Sequence, residues 1–371
     1  MKKLLFIFGT RPEAIKMAPL ILEFKKFPEL FDIKICLTGQ HRQMLDQINT
    51  FFGIKGDYDL NLMAPNQNLA ELTSRCLISI DKILFDAKPD IVFVQGDTTT
   101  VMAAALAAFY HQIEVAHIEA GLRSGQKYSP FPEEINRVIA GHIATWHFAP
   151  TEAAKQNLIN EGIKNNIFVV GNTVIDALFL GLKIVNNKND EYAKYFNFID
   201  FSKRLILVTG HRRESFGEQL KNICLAIKDI AKAHNDVEIV YPVHLNPNVQ
   251  EPVREILSDV ERIHLIDPLD YPLMIWLMNK SYFVLTDSGG IQEEAPALGK
   301  PVLVMRNVTE RQEGINAGLS ILVGSNREKI FKEASRLLTD ETIYRNMSRA
   351  IHPYGNGDTA KKIAKILIEN G

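Results

Sequence analysis

The sequence predicts an α/β protein with two doubly wound parallel sheets. Short apolar runs alternate with longer segments of helical periodicity, which is the pattern of βαβ units. A polar, charge-rich stretch at 186–195 interrupts this pattern, and the alternation then restarts. The length of 371 residues also exceeds what one hydrophobic core usually organises. We therefore expect two domains.

Apolar runs predict the strands of both sheets. In the first half they occupy 4–9, 33–39, 90–96, 115–120 and 167–172. The second half opens with RLILVTG at 204–210 and continues with VEIVYPV, RIHLID, SYFVLTDS and KPVLVM. The halves are not a close sequence repeat, so we predict similar architecture without internal duplication.

These patterns place domain limits at 1–170 and 171–357, with a linker between 171 and 203. The last segment, 358–371, has the apolar spacing of a packing helix. Ligands of open parallel sheets bind beyond the carboxyl ends of the strands, and two such sheets facing each other form a cleft. Functional residues are therefore expected at strand ends.

Composition and charge disfavour several classes of partner. The formal net charge is −2 and the basic residues are scattered, which favours neither nucleic acid nor an anionic membrane. No stretch approaches the roughly 18 uncharged apolar residues of a membrane helix. The first apolar run stops after Phe8, unlike a secretory signal. We therefore expect a cytoplasmic protein. Its cysteines lack metal-type or redox-type spacing, and we expect them to be packing residues.

Two cations follow the first predicted strand. Thr10 and Glu13 match the T-x-x-E capping box of a helix start. Arg11 and Lys16 then lie near the positive end of the helix dipole, which is unfavourable unless an anion is close by. A bound phosphate or a carboxylate would resolve this conflict, and solvated surface cations are the open alternative. Neither GxxxxGK[ST] nor GxGxxG is present, so no NAD or other cofactor is expected.

Carboxylates gather at the strand ends of the first half. Asp97 follows one predicted strand and Glu119 closes the next. Glu133 and Glu134 come after a proline-bounded loop. Each alone could be a helix cap or an ion-pair partner. Several at one edge of a sheet favour acid–base chemistry.

The second half repeats the pattern with a turn suited to anions. His211 and His244 each follow a predicted strand, where they could bind a phosphate or cap a helix. The turn at 288–290 consists of Ser-Gly-Gly between a buried strand and a helix, so backbone N–H groups can approach an anion closely. Glu294, about one turn later, could accept a hydrogen bond from a ribose or compensate the helix dipole.

Taken together, these motifs resemble the non-hydrolysing UDP-N-acetylglucosamine 2-epimerases. They occur in the family order across nearly the whole chain: GTRPEAIKMAPL, TGQHRQML, VQGDTTT, HIEAGLRS, PFPEEINR, TGHRRE, YPVHLNP and DSGGIQEEAP. The resemblance implies two Rossmann-like domains of the glycosyltransferase-B type, with the C-terminal helix packing back on the first domain. It also implies a homodimer.

The resemblance assigns roles residue by residue. Its catalytic positions fall on Asp97, Glu119, Glu133 and His211. Its substrate-binding positions fall on Arg11, Lys16, Ser288, Gly289, Gly290 and Glu294. Bacterial members often bind a second UDP-N-acetylglucosamine as an activator, and its site falls on Gln40, Gln43, Glu134 and His244. An arginine of that second site is replaced near Asn66, which departs from the family pattern.

The activity implied is reversible epimerisation at carbon 2, which supplies bacterial surface polysaccharide synthesis. The carbon 2 hydrogen has no adjacent carbonyl to acidify it, so departure of UDP to give 2-acetamidoglucal offers a better route than direct abstraction. Carboxylates would stabilise the oxocarbenium character that develops when UDP leaves. No metal is expected. Closure of the two domains would retain the glucal intermediate.

Three alternatives remain open. They are a hydrolysing epimerase that releases N-acetylmannosamine and UDP, a glycosyltransferase of the same fold, and a catalytically silent sugar-nucleotide sensor.

Overall fold

The computed structural model describes residues 1–39, 42–62, 67–210, 212, 216–349 and 353–370, without the side chains of Arg42 and Gln43. Within these residues, the chain folds into two compact units. The first unit comprises Met1–Leu180 with Tyr354–Gly371, and the second comprises Gly181–Pro353. The limits at 170 and 357 remain a prediction of where the domains end.

Strands and helices alternate through the first unit. Its strands are β1 (Lys2–Phe8), β2 (Phe31–Leu37), β3 (Tyr58–Asp59), β4 (Ile91–Gln95), β5 (Glu114–Ile118), β6 (Trp146–Ala149) and β7 (Ile167–Val169). Its helices are α1 (Arg11–Phe24), α2 (Arg42–Phe52), α3 (Leu69–Ala87), α4 (Thr99–Tyr110), α5 (Glu133–Ile143), α6 (Glu152–Asn160), α7 (Thr173–Asn186), which continues into the second unit, and, from the end of the chain, α16 (Thr359–Asn370). Helix α16 packs against α1.

The second unit alternates in the same way. Its strands are β8 (Arg204–Thr209), β9 (Val237–Pro242), β10 (Ile263–Ile266), β11 (Phe283–Thr286), β12 (Val302–Val304) and β13 (Ser320–Leu322). Its helices are α8 (Asn189–Tyr195), α9 (Glu218–Ala233), α10 (Pro247–Leu257), α11 (Tyr271–Lys280), α12 (Gly289–Ala297), α13 (Gln312–Asn316), α14 (Arg327–Thr339) and α15 (Glu341–Met347).

Each unit contains one parallel sheet. Among the described residues, the first sheet has the order β3-β2-β1-β4-β5-β6-β7 and the second has the order β10-β9-β8-β11-β12-β13. Strand order reverses between β1 and β4 and between β8 and β11, and such switch points are where doubly wound sheets bind ligands. The prediction of two doubly wound parallel sheets is confirmed.

Burial and capping explain why these segments fold as they do. The central strands read as continuous apolar runs because helices cover both faces of a parallel sheet, and β4 is buried along its whole length. Helix α1 begins with the predicted capping box, in which the Thr10 side chain accepts from the Glu13 N–H. The Glu13 carboxylate in return accepts from the N–H groups of Gly9 at 3.0 Å and Thr10 at 2.7 Å. No described helix is both long and apolar enough to cross a membrane.

Candidate active site

Glu119 is the most constrained carboxylate of the first unit. It directly follows β5, is only 7% exposed, and has a φ of +65°. Its Oε2 accepts hydrogen bonds from Lys16 Nζ at 2.5 Å and from Gln95 Nε2, and its Oε1 accepts from Asn172 Nδ2 at 3.1 Å. Left-handed backbone at a residue other than glycine costs about 1–3 kcal/mol and concentrates at functional sites. The fold therefore holds this carboxylate in one orientation.

Asp97 lies at the switch point beyond β4. Its Oδ2 accepts a hydrogen bond from the Arg137 guanidinium, and its main-chain carbonyl accepts from Asn136 Nδ2 at 3.0 Å. Both partners come from α5, so this helix fixes the turn and the side chain together. The Asp97 side chain remains 32% exposed and can therefore meet a ligand.

The pKa of Asp97 is affected by the other acids predicted for the site. Partial burial is the main reason that its pKa is raised above the ordinary aspartate value. Arg137 opposes this rise, the negative charge of Glu119 adds to it, and Lys16 again opposes it. Glu133, the first residue of α5, also raises the Asp97 pKa by its charge. Thus the charges of Glu119, Glu133 and Lys16 all act on Asp97 within the first unit, and the catalytic roles of these residues stay a prediction.

A second buried acid ties these elements to one another. Glu13 accepts from the hydroxyl of Thr98, the N-cap of α4, at 2.7 Å through Oε1. Burial outweighs its hydrogen bonds and raises the pKa of Glu13. This residue connects the turn after β1 to the turn after β4, and those turns carry Arg11 and Asp97. Arg11, at the start of α1, is exposed.

The residues predicted for a second substrate site have different surroundings. Glu134 is 4% exposed, and its carboxylate accepts from the backbone N–H groups of Ser124 at 3.1 Å and Gly125 at 3.0 Å. His244 is exposed beyond β9, where its Nδ1 accepts from the Asn246 N–H at 3.1 Å. Gln40 and the side chain of Gln43 lie outside the described residues. The second site remains a prediction.

In the second unit, the Ser-Gly-Gly turn lies at the other switch point. Ser288 is the N-cap residue of α12 and makes no side-chain capping bond, while its own N–H donates to Thr286 Oγ1 at 3.0 Å. A side chain at Gly289 would place its Cβ 3.3 Å from Glu310 Oε1, so glycine suits this crowded position. Gly290 is exposed in the first turn of α12. The turn therefore presents the positive end of a helix, as an anion site requires.

Glu294 is 8% exposed in α12, and its Oε1 accepts a hydrogen bond from the Tyr271 hydroxyl at 3.2 Å. Burial, and then the charge of Glu294, raises the pKa of Tyr271 well above its ordinary value. A phenol that stays neutral keeps its proton for donation, so Tyr271 orients this carboxylate.

Helix α12 is also joined to the segment that follows β12. Thr309 donates from its hydroxyl to Gln292 Oε1 at 2.7 Å, and Arg311 Nε lies 2.7 Å from Glu293 Oε1. Arg311 also contacts Glu310, with 3.0 Å between Nη1 and Oε1. A guanidinium is therefore held beside the first turns of α12, where an anionic ligand would benefit from it.

Two predicted features remain to be placed. His211 lies outside the described residues, although its neighbour Arg212 donates from its N–H to Asp287 Oδ2 at 2.8 Å and from Nε to the Asp287 carbonyl at 3.0 Å. In the part of the chain that the structure describes, no cluster of histidine, cysteine and acidic residues is arranged to hold a metal ion.

Comparison with known proteins identifies the family. The family profile described as UDP-N-acetylglucosamine 2-epimerase matches residues 24–368. The UDP-N-acetylglucosamine 2-epimerase of Escherichia coli (strain K12) is 54% identical over 372 residues, covering 99% of either chain. This chain belongs to the UDP-N-acetylglucosamine 2-epimerase family. The family that the sequence motifs resemble is confirmed. The prediction that the chain is an isomerase is confirmed with it.

Solved structures agree with this family at the level of the fold. The UDP-GlcNAc 2-epimerase from Neisseria meningitidis bound to UDP-GlcNAc has a TM-score of 0.92 and 49% identity, covering 99% of this chain and 100% of that one. A glycosyltransferase from Rickettsia africae has a TM-score of 0.63 at 16% identity, which shows a shared fold alone. The predicted glycosyltransferase-B type of this epimerase-family chain is confirmed.

Sequence reasoning about this family member missed several site residues. Gln95 and Asn172, which contact Glu119, lie in the last two positions of predicted strands, so the rule that selected the acids could have found them. Tyr271 and Arg311 gave no comparable signal because they lie at no predicted strand end. Their proximity to α12 depends on tertiary packing.

Proposed function

We propose that this chain interconverts UDP-N-acetylglucosamine and UDP-N-acetylmannosamine by eliminating and re-adding UDP without hydrolysis. The observation that carries the proposal is the carboxylate cluster beyond β4 and β5. There Glu119 is held by Lys16, and Asp97 has a raised pKa. The names of the similar proteins support the substrate, and the Neisseria relative is bound to UDP-GlcNAc.

The chemistry explains why carboxylates are needed at this site. In the forward reaction the bond between the anomeric carbon and the UDP oxygen breaks, and UDP leaves with the electron pair. Positive charge then develops at the anomeric carbon, which nearby carboxylates stabilise. A base removes the carbon 2 proton, and the electrons of that C–H bond form the double bond of 2-acetamidoglucal. Returning a proton to the opposite face and UDP to the anomeric carbon gives the epimer.

The predicted acids suit proton transfer at carbon 2. A raised pKa brings Asp97 nearer to neutral pH, where a group can both accept and return a proton. Glu119 is buried beside the Lys16 ammonium, whose Nζ lies 2.5 Å from Oε2 and holds the carboxylate in place. Glu133 is partly exposed at the start of α5. We assign these three carboxylates to proton transfer and to stabilisation of the developing positive charge.

For the leaving group, we assign the N-terminal turn of α12. The backbone N–H groups after Ser288 and the helix dipole favour a pyrophosphate. We further assign the ribose to Glu294, whose orientation Tyr271 sets. His211, Arg11 and Lys16 keep the roles that the family resemblance gives them.

The proposal is tested by proton NMR of UDP-N-acetylglucosamine with the purified protein in deuterium oxide. We expect deuterium at carbon 2 and a mixture of both UDP-sugars, without added NAD or metal. Free N-acetylmannosamine with UDP would indicate a hydrolysing epimerase instead. No exchange at carbon 2 would contradict the proposal and favour a transferase or a sensor. An Asp97→Asn variant purified in the same way controls for contaminating activity.

We also propose that the chain forms the homodimer implied by the family, through apolar side chains of α3 and α4. Ile78 and Phe85 are 58% and 67% exposed on α3, and Phe109 and Tyr110 are 59% and 62% exposed at the end of α4. Asp81, which shares a face of α3 with Ile78 and Phe85, has its Oδ1 2.7 Å from His111 Nε2 just after α4.

This hydrogen bond places the exposed residues of the two helices side by side. Contiguous exposed apolar patches mark interfaces, and the exposed apolar side chains of two helices that pack together are the candidate in this chain. A second copy of the chain is the occupant we propose, and a cytoplasmic location remains our prediction.

A further inference from the structure

Asn172 lies beside the point where the chain re-enters the first unit. It directly precedes α7, and within that helix the chain passes from Leu180 to Gly181 and so into the second unit. The chain returns to the first unit at Tyr354, whose carbonyl accepts a hydrogen bond from the Asn172 N–H at 2.6 Å. The returning chain therefore meets the first unit beside a buried asparagine, which is 3% exposed.

The side chain of Asn172 points in a defined direction. Its Oδ1 accepts from the Val174 N–H at 3.1 Å, in the first turn of α7. Because the amide oxygen is used there, the amide nitrogen is directed the other way, and it donates to Glu119 Oε1 at 3.1 Å. The opposite oxygen, Oε2, is held by Lys16 and Gln95. Glu119 is thus fixed at both oxygens.

The returning segment is packed tightly against this point. A Cβ at Gly171 would lie 3.1 Å from the Tyr354 carbonyl oxygen and 3.1 Å from Gly355 Cα. Gly355 has a φ of +119°, and a Cβ there would lie 3.5 Å from the Asn172 nitrogen. The segment has little room to shift without moving Asn172.

We propose that Asn172 is a positioning residue that makes the orientation of Glu119 depend on the returning segment at Tyr354 and Gly355. The inference rests on the proposed function because it assigns Glu119 to the chemistry. Any displacement of the returning segment moves the Asn172 backbone and, through its amide, Glu119 Oε1. Moving a catalytic carboxylate by about 1 Å lowers the reaction rate by up to roughly 100-fold, because catalysis depends on the distance between the reacting groups.

The test compares Asn172 variants in a steady-state epimerase assay, after wild-type carbon 2 exchange has been established. We expect Asn172→Ala to lower kcat about 10- to 100-fold while KM changes less than about 3-fold, because positioning acts on the transition state. Asn172→Asp keeps an oxygen for the Val174 N–H but replaces the N–H donor to Glu119 Oε1 with a carboxylate, and it should lower kcat at least as much as Asn172→Ala. Asn68→Ala is the matched control, since Asn68 caps α3 through the Glu71 N–H at 2.9 Å and should leave kcat unchanged.

A second pair of variants tests the link to the returning segment. Gly355→Ala should lower kcat in the same way as Asn172→Ala, whereas Gly162→Ala, at a φ of +88° with no atom within 4 Å of the added Cβ, should not. Unchanged kcat in Asn172→Ala, or an effect of Gly355→Ala on stability alone, would overturn the proposal. Failure of wild-type exchange would instead refute the proposed function, so the two failures are distinguishable.

Discussion

The Lys16 ammonium lies 2.5 Å from Glu119 Oε2, although 103 residues separate the two in sequence. The side chains are 15% and 5% exposed, so the two opposite charges compensate each other largely away from water. This ion pair explains why a lysine can lie near the positive end of the α1 dipole. The unfavourable interaction of Lys16 with the dipole is offset by a carboxylate of the same unit.

Replacing Lys16 should therefore lower the stability of the protein as well as its reaction rate. We expect Lys16→Met to lower the free energy of unfolding by about 3 kcal/mol, because an uncompensated charge remains buried. Urea unfolding measures this loss. Lys34→Met breaks an exposed pair with Asp57 at 3.2 Å and should cost less than about 1 kcal/mol. If Lys16→Met and Lys34→Met lose equal stability, Lys16 does not compensate a buried charge.

The acid limb of the rate profile should report Asp97. Its pKa is raised by burial, so the limb of kcat/KM should lie above the value of about 3.9 for a free aspartate. Arg137 opposes this rise, and Arg137→Gln should therefore move the limb to still higher pH. Arg327→Gln is the control because that exposed arginine pairs with Asp229 in the other unit. A limb that stays in place in Arg137→Gln would argue against Asp97 as the titrating group.

Two buried histidines should make the folded protein less stable as the pH falls. Burial lowers the pKa of His117 and of His147 to about 4, so both are neutral in the folded protein at pH 7. The unfolded chain takes up protons below about pH 6.5. Stability is therefore full above that value and is lost as pH falls towards 4, by about 3 kcal/mol for each histidine.

Urea unfolding between pH 7.5 and 4.5 measures this loss. His147→Gln should flatten the pH dependence of the free energy of unfolding by the contribution of one titrating group. Identical slopes for His147→Gln and wild type would contradict the assignment.

The hydroxyl of Tyr271 should matter for nucleotide binding. We expect Tyr271→Phe to weaken UDP affinity about 3- to 10-fold, the contribution of one hydrogen bond, because Glu294 loses the hydrogen bond from the Tyr271 hydroxyl. Isothermal titration calorimetry with UDP measures the change. Tyr344→Phe deletes a comparable bond, from the hydroxyl to the Tyr282 carbonyl at 3.2 Å, and should leave UDP affinity unchanged. Equal affinity in wild type and Tyr271→Phe would exclude the assigned role.

Most of the fold could be predicted because its signals are local. Most strands read as apolar runs, even β7 and β12 of 3 residues each, whereas β3, of 2 residues, is too short to give a period. Strand β6 reads WHFA, and its buried histidine breaks the apolar pattern. Strand-end acids could be found by residue type. Asn172 could be found by its position at a strand end, but its contact with Glu119 could not, because sheet order brings the two residues together across 53 positions of sequence. The contact of Tyr271 with Glu294 likewise depends on helix packing.

The exposed residues of α3 and α4 give a last prediction, which concerns oligomeric state. A lysine at Phe109 would place a charge within the proposed dimer surface, where desolvating it is expensive. Sedimentation equilibrium should therefore show a dimer for the wild type and a monomer, or a dimer weakened at least about 100-fold, for Phe109→Lys. Ile159→Lys changes a residue that is 42% exposed on α6 of the same unit, and it should remain dimeric. A monomeric wild type would refute the homodimer, whereas a dimer that survives Phe109→Lys would mean that the two copies meet elsewhere.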